Sequence, residues 1–112
     1  MSDRLYLVFS AAPEGVAPDE YDRWYHRHVR ENIEVEGFRA ARRYTAQPVR
    51  GDGAAVPGHL ALYEYEGDIA VLRRRLAERL ERGEIVLPEW FDRIPFASWD
   101  CAAIEPRVQA DE

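Results

Sequence analysis

Some stretches of the chain are short runs dense in aliphatic, β-branched and aromatic residues, and in others apolar residues recur every three to four positions. Leu5, Leu7 and Phe9 interleave with Tyr6 and Val8, so residues 5–10 predict a strand that is apolar on both faces. Residues 11–18 carry two prolines and a glycine and predict a loop. From Asp19, read as an N-cap, Tyr21, Trp24, Tyr25, Val29 and Val35 fall on one helical face, which predicts a helix over 20–35 ended by Gly37. Strands are predicted over 38–47 and 59–66, with a Gly- and Pro-rich loop over 48–58 between them. Gly67 and Asp68 then turn the chain into a second helix, where Ile69, Leu72, Leu76 and Leu80 keep helical spacing through Arg82. Residues 88–95 are aromatic-rich and read as irregular or a short helix, 96–104 as a last strand, and 105–112 as a polar tail.

The resulting order, βαββαβ, predicts one α+β domain over residues 1–112 with a ferredoxin-like four-stranded antiparallel sheet and two helices on one face. The third strand repeats the feature of the first, with Leu60 and Leu62 opposing Ala61, Tyr63 and Tyr65. Two helices cover only one sheet face, so the other is expected to meet a second copy of the chain in a homodimer.

Composition narrows the chemistry. All 15 basic residues are arginine. The absence of lysine excludes a lysine Schiff base, a lysine-anchored pyridoxal phosphate and the usual phosphate-loop lysine. Cys101 is the only cysteine, so neither an intrachain disulfide nor a four-cysteine zinc site can form, and its mid-strand position reads as inert core. A net charge of −6 argues against a nucleic-acid partner. No stretch reaches the roughly 20 apolar residues of a membrane span, and the N-terminus does not read as a signal peptide, so a cytoplasmic protein is expected.

Candidate chemistry concentrates on the first helix. His28 and Asn32 sit one turn apart within its apolar arc, whereas Arg23, Arg27, Arg30, Glu20, Glu31 and Glu34 lie opposite. Burying polar groups among aromatics costs a few kcal/mol unless they are paired. His28 is therefore either a core histidine bonded to a backbone carbonyl or to Asn32, or a general acid or base whose pKa is lowered by desolvation. Asn32 would orient the ring or bind a ligand carbonyl. His26 points elsewhere, near Asp22, and His59 opens the third strand; no same-face histidine pair exists to hold a metal. Tyr25 and Tyr63 are the phenols best placed to reach a ligand, and Tyr21, Trp24, Trp90 and Phe91 are expected to help wall a pocket for a hydrophobic small molecule. Arg42 and Arg43 fall on opposite strand faces, and Arg73, Arg74 and Arg75 read as a solvated helix face.

The run Trp24-Tyr25-His26-Arg27-His28-Val29, followed by Glu31, Ile33, Val35, Gly37-Phe38 and Ala41-Arg42-Arg43-Tyr44, resembles the signature of EthD-like proteins in the dimeric α+β barrel superfamily. His59-Leu60-Ala61-Leu62-Tyr63-Glu64 is similar to that family's third strand. The resemblance implies sheets packed back to back in a dimer, a ligand pocket between sheet and helices, and His28 in the place of the family's helix histidine. It also implies a range of activities: cofactor-independent oxygenases of aromatic polyketides, cyclases, dehydratases and decarboxylases, accessory proteins of ether or aromatic degradation, and distant haem binders. Family members often carry a proline and an aspartate where this chain has Arg30 and Glu31.

Taken together, the expectation is a cofactor-independent enzyme that moves a proton on a cyclic, aromatic or polyketide-like substrate. It would be a lyase or cyclase, or a cofactor-independent monooxygenase, with Tyr25 and Asn32 assisting His28. The alternative is a non-catalytic ligand-binding or accessory protein.

Overall fold

The apolar runs and the helix periodicity resolve into β1 (Arg4–Ser10), α1 (Pro18–Ile33), β2 (Phe38–Thr45), β3 (His59–Tyr65), α2 (Ile69–Glu81) and β4 (Ala97–Ala102), with a short 3-10 helix at Phe91–Arg93. The computed structural model describes residues 3–51 and 58–111; of the loop expected over 48–58, residues 52–57 lie outside them. The sheet order is β2-β3-β1-β4 with every pair antiparallel, and the arrangement is the ferredoxin-like α+β fold.

Register assigns the two faces. Tyr6 pairs with Tyr63 and Val8 with Ala61, while Ala41 and Arg43 meet Tyr63 and Ala61 from β2. This face carries α1 and α2, and the core lies between them: Tyr21, Trp24, Tyr25 and Val29 of α1, Leu72 of α2, and Ala61, Tyr63 and Tyr65 of β3 are all buried. Burying a large apolar side chain contributes roughly 1.5–3 kcal/mol, so this one helix face supplies much of the fold's stability. Phe38 joins the core from β2 because the register shifts between Phe38 and Ala40, a bulge that turns its ring to within 5.3 Å of Tyr63. The opposite face holds Leu7 between Leu62 and Trp99, and Phe9 between Leu60 and Ala97. Among the described residues no helix covers it, and Trp99 is 63% exposed. Cys101 pairs with Leu5 on this face and is half-buried, so it is not a core residue.

Helix ends differ from expectation for identifiable reasons. α1 begins at Pro18, whose fixed φ suits the first helical turn, so Ala17 is the N-cap and Asp19 lies inside the helix, where its charge favours the positive dipole end. α1 ends at Ile33 rather than Val35; Val35 remains buried in the following turn, where its N–H bonds to the Asn32 carbonyl at 3.1 Å. At the second helix Asp68 caps as expected, its carboxylate accepting from the Ala70 N–H at 2.8 Å. The strands are trimmed at their far ends, to Thr45, Tyr65 and Ala102, and α2 stops at Glu81.

Gly37 is not the residue just past the helix cap, since Glu34 fills that cap. It serves instead as a close-approach point with φ +112°, where an added Cβ would lie 2.8 Å from Leu72 Cδ1. Gly37→Ala is expected to destabilise the fold by about 1–3 kcal/mol through backbone strain and overpacking. Urea unfolding measures this loss, and a midpoint unchanged from wild type would contradict it.

Candidate functional site

Side chains from α1, α2, the sheet and the segment 85–96 leave a cavity of about 390 Å³ between them, within the usual range for small-molecule sites. Tyr25, His28 and Asn32 line it from α1, and Tyr6, Val8, Phe38, Tyr63 and Ser98 from the sheet. Leu76, Ala77 and Leu80 close the α2 side, and Ile85, Leu87, Phe91 and Phe96 the remaining wall.

His28 is held in an aromatic clamp. Its ring stacks on Trp24, with centroids 4.7 Å apart and planes 20° from parallel, and meets Tyr25 and Phe91 edge-on at 5.8 and 6.3 Å. Burial among these rings, with the nearby Arg27 charge as a smaller cause, lowers its pKa from 6.5 to about 4. The imidazole is therefore neutral at pH 7. Neither a backbone carbonyl nor Asn32 binds it: Nδ1 is buried and has no hydrogen-bond partner.

Asn32 instead serves the sheet. Its amide Nδ2 donates to the Tyr63 hydroxyl at 3.0 Å, which leaves the phenol's own proton free to be donated into the cavity. Burial pushes the Tyr63 pKa up to about 12, and it raises that of Tyr25 as well, so both phenols remain protonated donors at neutral pH. Arg43 lies 4.9 Å over the Tyr25 ring and donates to Asp22 Oδ1 at 2.8 Å; the sequence had left open which strand arginine faces the helices. Asp22 is thereby paired with Arg43 rather than His26.

The structure thus brings together five of the expected residues, Tyr25, His28, Asn32, Tyr63 and Phe91. Tyr21, Trp24 and Trp90 do not line the cavity; they pack on one another beneath it, with Tyr21 bonded to the Ser10 hydroxyl and Trp24 serving as the platform for His28. His59 also lies outside the cavity, 5.6 Å from the Tyr21 ring.

Two residues assigned to solvated faces are not simply solvated. Arg73 lines the cavity, and Glu31 turns a buried carboxylate oxygen toward His28. Both sit at the edge of a polar helical arc, where wheel position alone does not separate pocket rim from solvent. The 85–96 wall has no helix or strand period to flag it.

Comparison with known proteins supports the fold. No protein-family model and no curated protein matches the chain in sequence. Among solved structures it is similar to At3g17210 from Arabidopsis thaliana, at 13% identity and a TM-score of 0.64, covering 96% of this chain and 98% of that one. It is also similar to SnoaB, a cofactor-independent oxygenase from Streptomyces nogalater, at 15% identity and a TM-score of 0.61, covering 96% and 100%. A third similar structure is Rv0793 from Mycobacterium tuberculosis, at 20% identity and a TM-score of 0.51, covering 94% and 99%. Such identities establish shared architecture and leave chemistry to the site. Among the described residues no helix is long and apolar enough to cross a membrane.

The partly buried imidazole has a consequence for stability. Unfolded, His28 takes up a proton near pH 6.5; folded, it resists until about 4. Its contribution is complete above pH 6.5 and is lost as pH falls toward 4, a change on the order of 3 kcal/mol. His28→Gln should flatten this part of the stability profile. Urea titrations at several pH values would show it, and parallel profiles for the two proteins would argue that the imidazole is not buried neutral.

Proposed function

We propose that the protein is a cofactor-independent enzyme of EthD-like type, in which His28 moves a proton on a hydrophobic cyclic or aromatic substrate. The observation carrying this reading is a neutral imidazole in the cavity wall that no backbone carbonyl and no amide holds as a structural bond. A histidine conserving only the fold would be expected to satisfy such a bond.

The cavity groups divide the work. A carbonyl substrate would place its oxygen at the Tyr63 hydroxyl, whose proton is free because Asn32 supplies the hydrogen bond that the phenol oxygen accepts. His28 takes a proton from the adjacent carbon, and the C–H electrons pass into an enolate stabilised at Tyr63. For a β-hydroxy substrate the proton then returns to the departing hydroxyl, and water leaves. That sequence is a dehydration; attack of the same enolate on a second carbonyl is a cyclisation. A pKa near 4 makes His28 a weak base, which favours substrates whose C–H is already acidified, as in polyketide-like chains with carbonyl groups close together. The likeness to a cofactor-independent oxygenase supports an activity that needs no resident cofactor, and oxygenation of a deprotonated substrate would use the same base.

Turnover tests the reading, with candidate ligands first found by thermal shift. His28→Ala should lower turnover by about 10²–10⁴-fold, the range of general-base catalysis. Tyr63→Phe should lower kcat while leaving binding largely intact. Unchanged turnover in His28→Ala would refute the role of His28. Ligand binding with no product in the wild type would instead favour an accessory binding protein.

The same proposal includes a homodimer joined through the uncovered sheet face. Leu7, Leu62 and the 63% exposed Trp99 lie side by side on this face, an apolar patch that a second copy related by a two-fold axis would cover. Sedimentation should find a dimer for the wild type and a monomer for Trp99→Asp. A monomeric wild type would contradict the proposal.

A further inference from the structure

We infer that Glu31 is a positioning residue for His28: its carboxylate and the imidazole Nδ1–H close into a hydrogen bond that leaves Nε2 as the nitrogen accepting protons in the cavity. The inference rests on the general-base reading of His28 and assigns the partner that reading lacks.

Two orphaned atoms carry it. His28 Nδ1 and Glu31 Oε1 are both buried without a hydrogen-bond partner, and they face each other at 3.6 Å. That distance is an approach rather than a bond, longer by roughly 0.7 Å than a normal N–H···O contact. The residues lie at i and i+3 on α1, so a small side-chain rotation closes the gap without moving the backbone. Leaving two buried polar atoms unpaired is costly, and closure satisfies both at once.

The surroundings support this pairing over others. Trp24 below the ring and Tyr25 and Phe91 at its edges offer no acceptor aimed at Nδ1. Glu31 is anchored through its backbone, whose carbonyl accepts from Arg79 Nη1 of α2 at 3.3 Å, while its carboxylate stays unclaimed on the His28 side. The remaining charged or titratable groups around the imidazole are Arg27 on α1, Arg73 on α2, Tyr6 and Tyr63 on the sheet, and Tyr25. Glu31 is the acidic group facing it among the described residues. With Nδ1 protonated and directed at Glu31, the base is preset in the reactive tautomer. A carboxylate behind the ring also stabilises the imidazolium formed in the reaction, which offsets part of the basicity lost to burial.

The test is the tautomer of His28, read from long-range ¹H–¹⁵N correlation spectra of the ¹⁵N-labelled protein, for wild type, Glu31→Gln and Glu31→Leu. The expected result is the Nδ1–H form in wild type and in Glu31→Gln, which keeps an acceptor oxygen, and a shift toward the Nε2–H form in Glu31→Leu. The His28 titration should also move to lower pH in both variants, by roughly tenfold or more in proton affinity. Backbone amide spectra establish that each variant is folded. An Nε2–H wild type, or a tautomer that is the same in wild type and Glu31→Leu, overturns the inference. Neither result bears on whether His28 is the base, because the His28→Ala turnover comparison decides that separately.

Discussion

The structure depends on laying one aromatic face of α1 against the sheet. Tyr21, Trp24, Tyr25 and Val29 are all nearly inaccessible, and their burial is the favourable term that fixes the helix in place. The same constraint decides the fate of His28 and Asn32. Both share that face, so packing the aromatics carries an imidazole and an amide into a low-dielectric wall whether or not they gain by it. Asn32 recovers its cost by bonding to Tyr63 across the helix–sheet gap. His28 does not, and its Nδ1 remains unsatisfied inside the protein.

That asymmetry sets His28 apart from Asn32, and the stacked Trp24, whose buried Nε1 also lacks a partner, shares it. Proteins leave few buried polar atoms unpaired, and those that persist call for a reason. Here His28 sits in the wall of a cavity whose other polar groups are the phenols of Tyr6, Tyr25 and Tyr63, the Asn32 amide, Arg73 and Ser98, in a lining that is otherwise apolar. Trp24 is central although it does not touch the cavity: stacked beneath the imidazole, it sets the ring's plane and excludes water from one side. The site is therefore built in two layers, with Tyr21, Trp24 and Trp90 forming a floor on which the lining residues rest.

Much of this was legible in the chain. Runs dense in aliphatic, β-branched and aromatic residues identified the strands, the two-residue period of a strand assigned their two apolar faces, and helical spacing identified α1, α2 and the polar pair within α1. Helix ends were less legible: Pro18 outweighed Asp19 as the starting signal, and Gly37 proved to answer to Leu72, a contact distant in sequence. The bulge that turns Phe38 inward has no local signature. Glu31 and Arg73 were hidden for a different reason. Long side chains at the border of a polar arc reach either water or a neighbouring cavity, and only the position of the opposite helix settles which. The 85–96 wall folds by tertiary contact and leaves no periodic trace.

The central claim is that a neutral, partly buried His28 exchanges protons with a ligand in the cavity. Solvent deuterium reports that step directly, without knowledge of the natural product. The protein would be incubated in D₂O with β-tetralone, an aromatic cyclic ketone with an acidic carbon beside its carbonyl, and the ketone recovered for mass measurement. Deuterium entering faster than in buffer with wild type, and at the buffer rate with His28→Ala, is the predicted result. Equal exchange by the two proteins above the buffer rate would contradict the account, because the proton would then be moving through some other group.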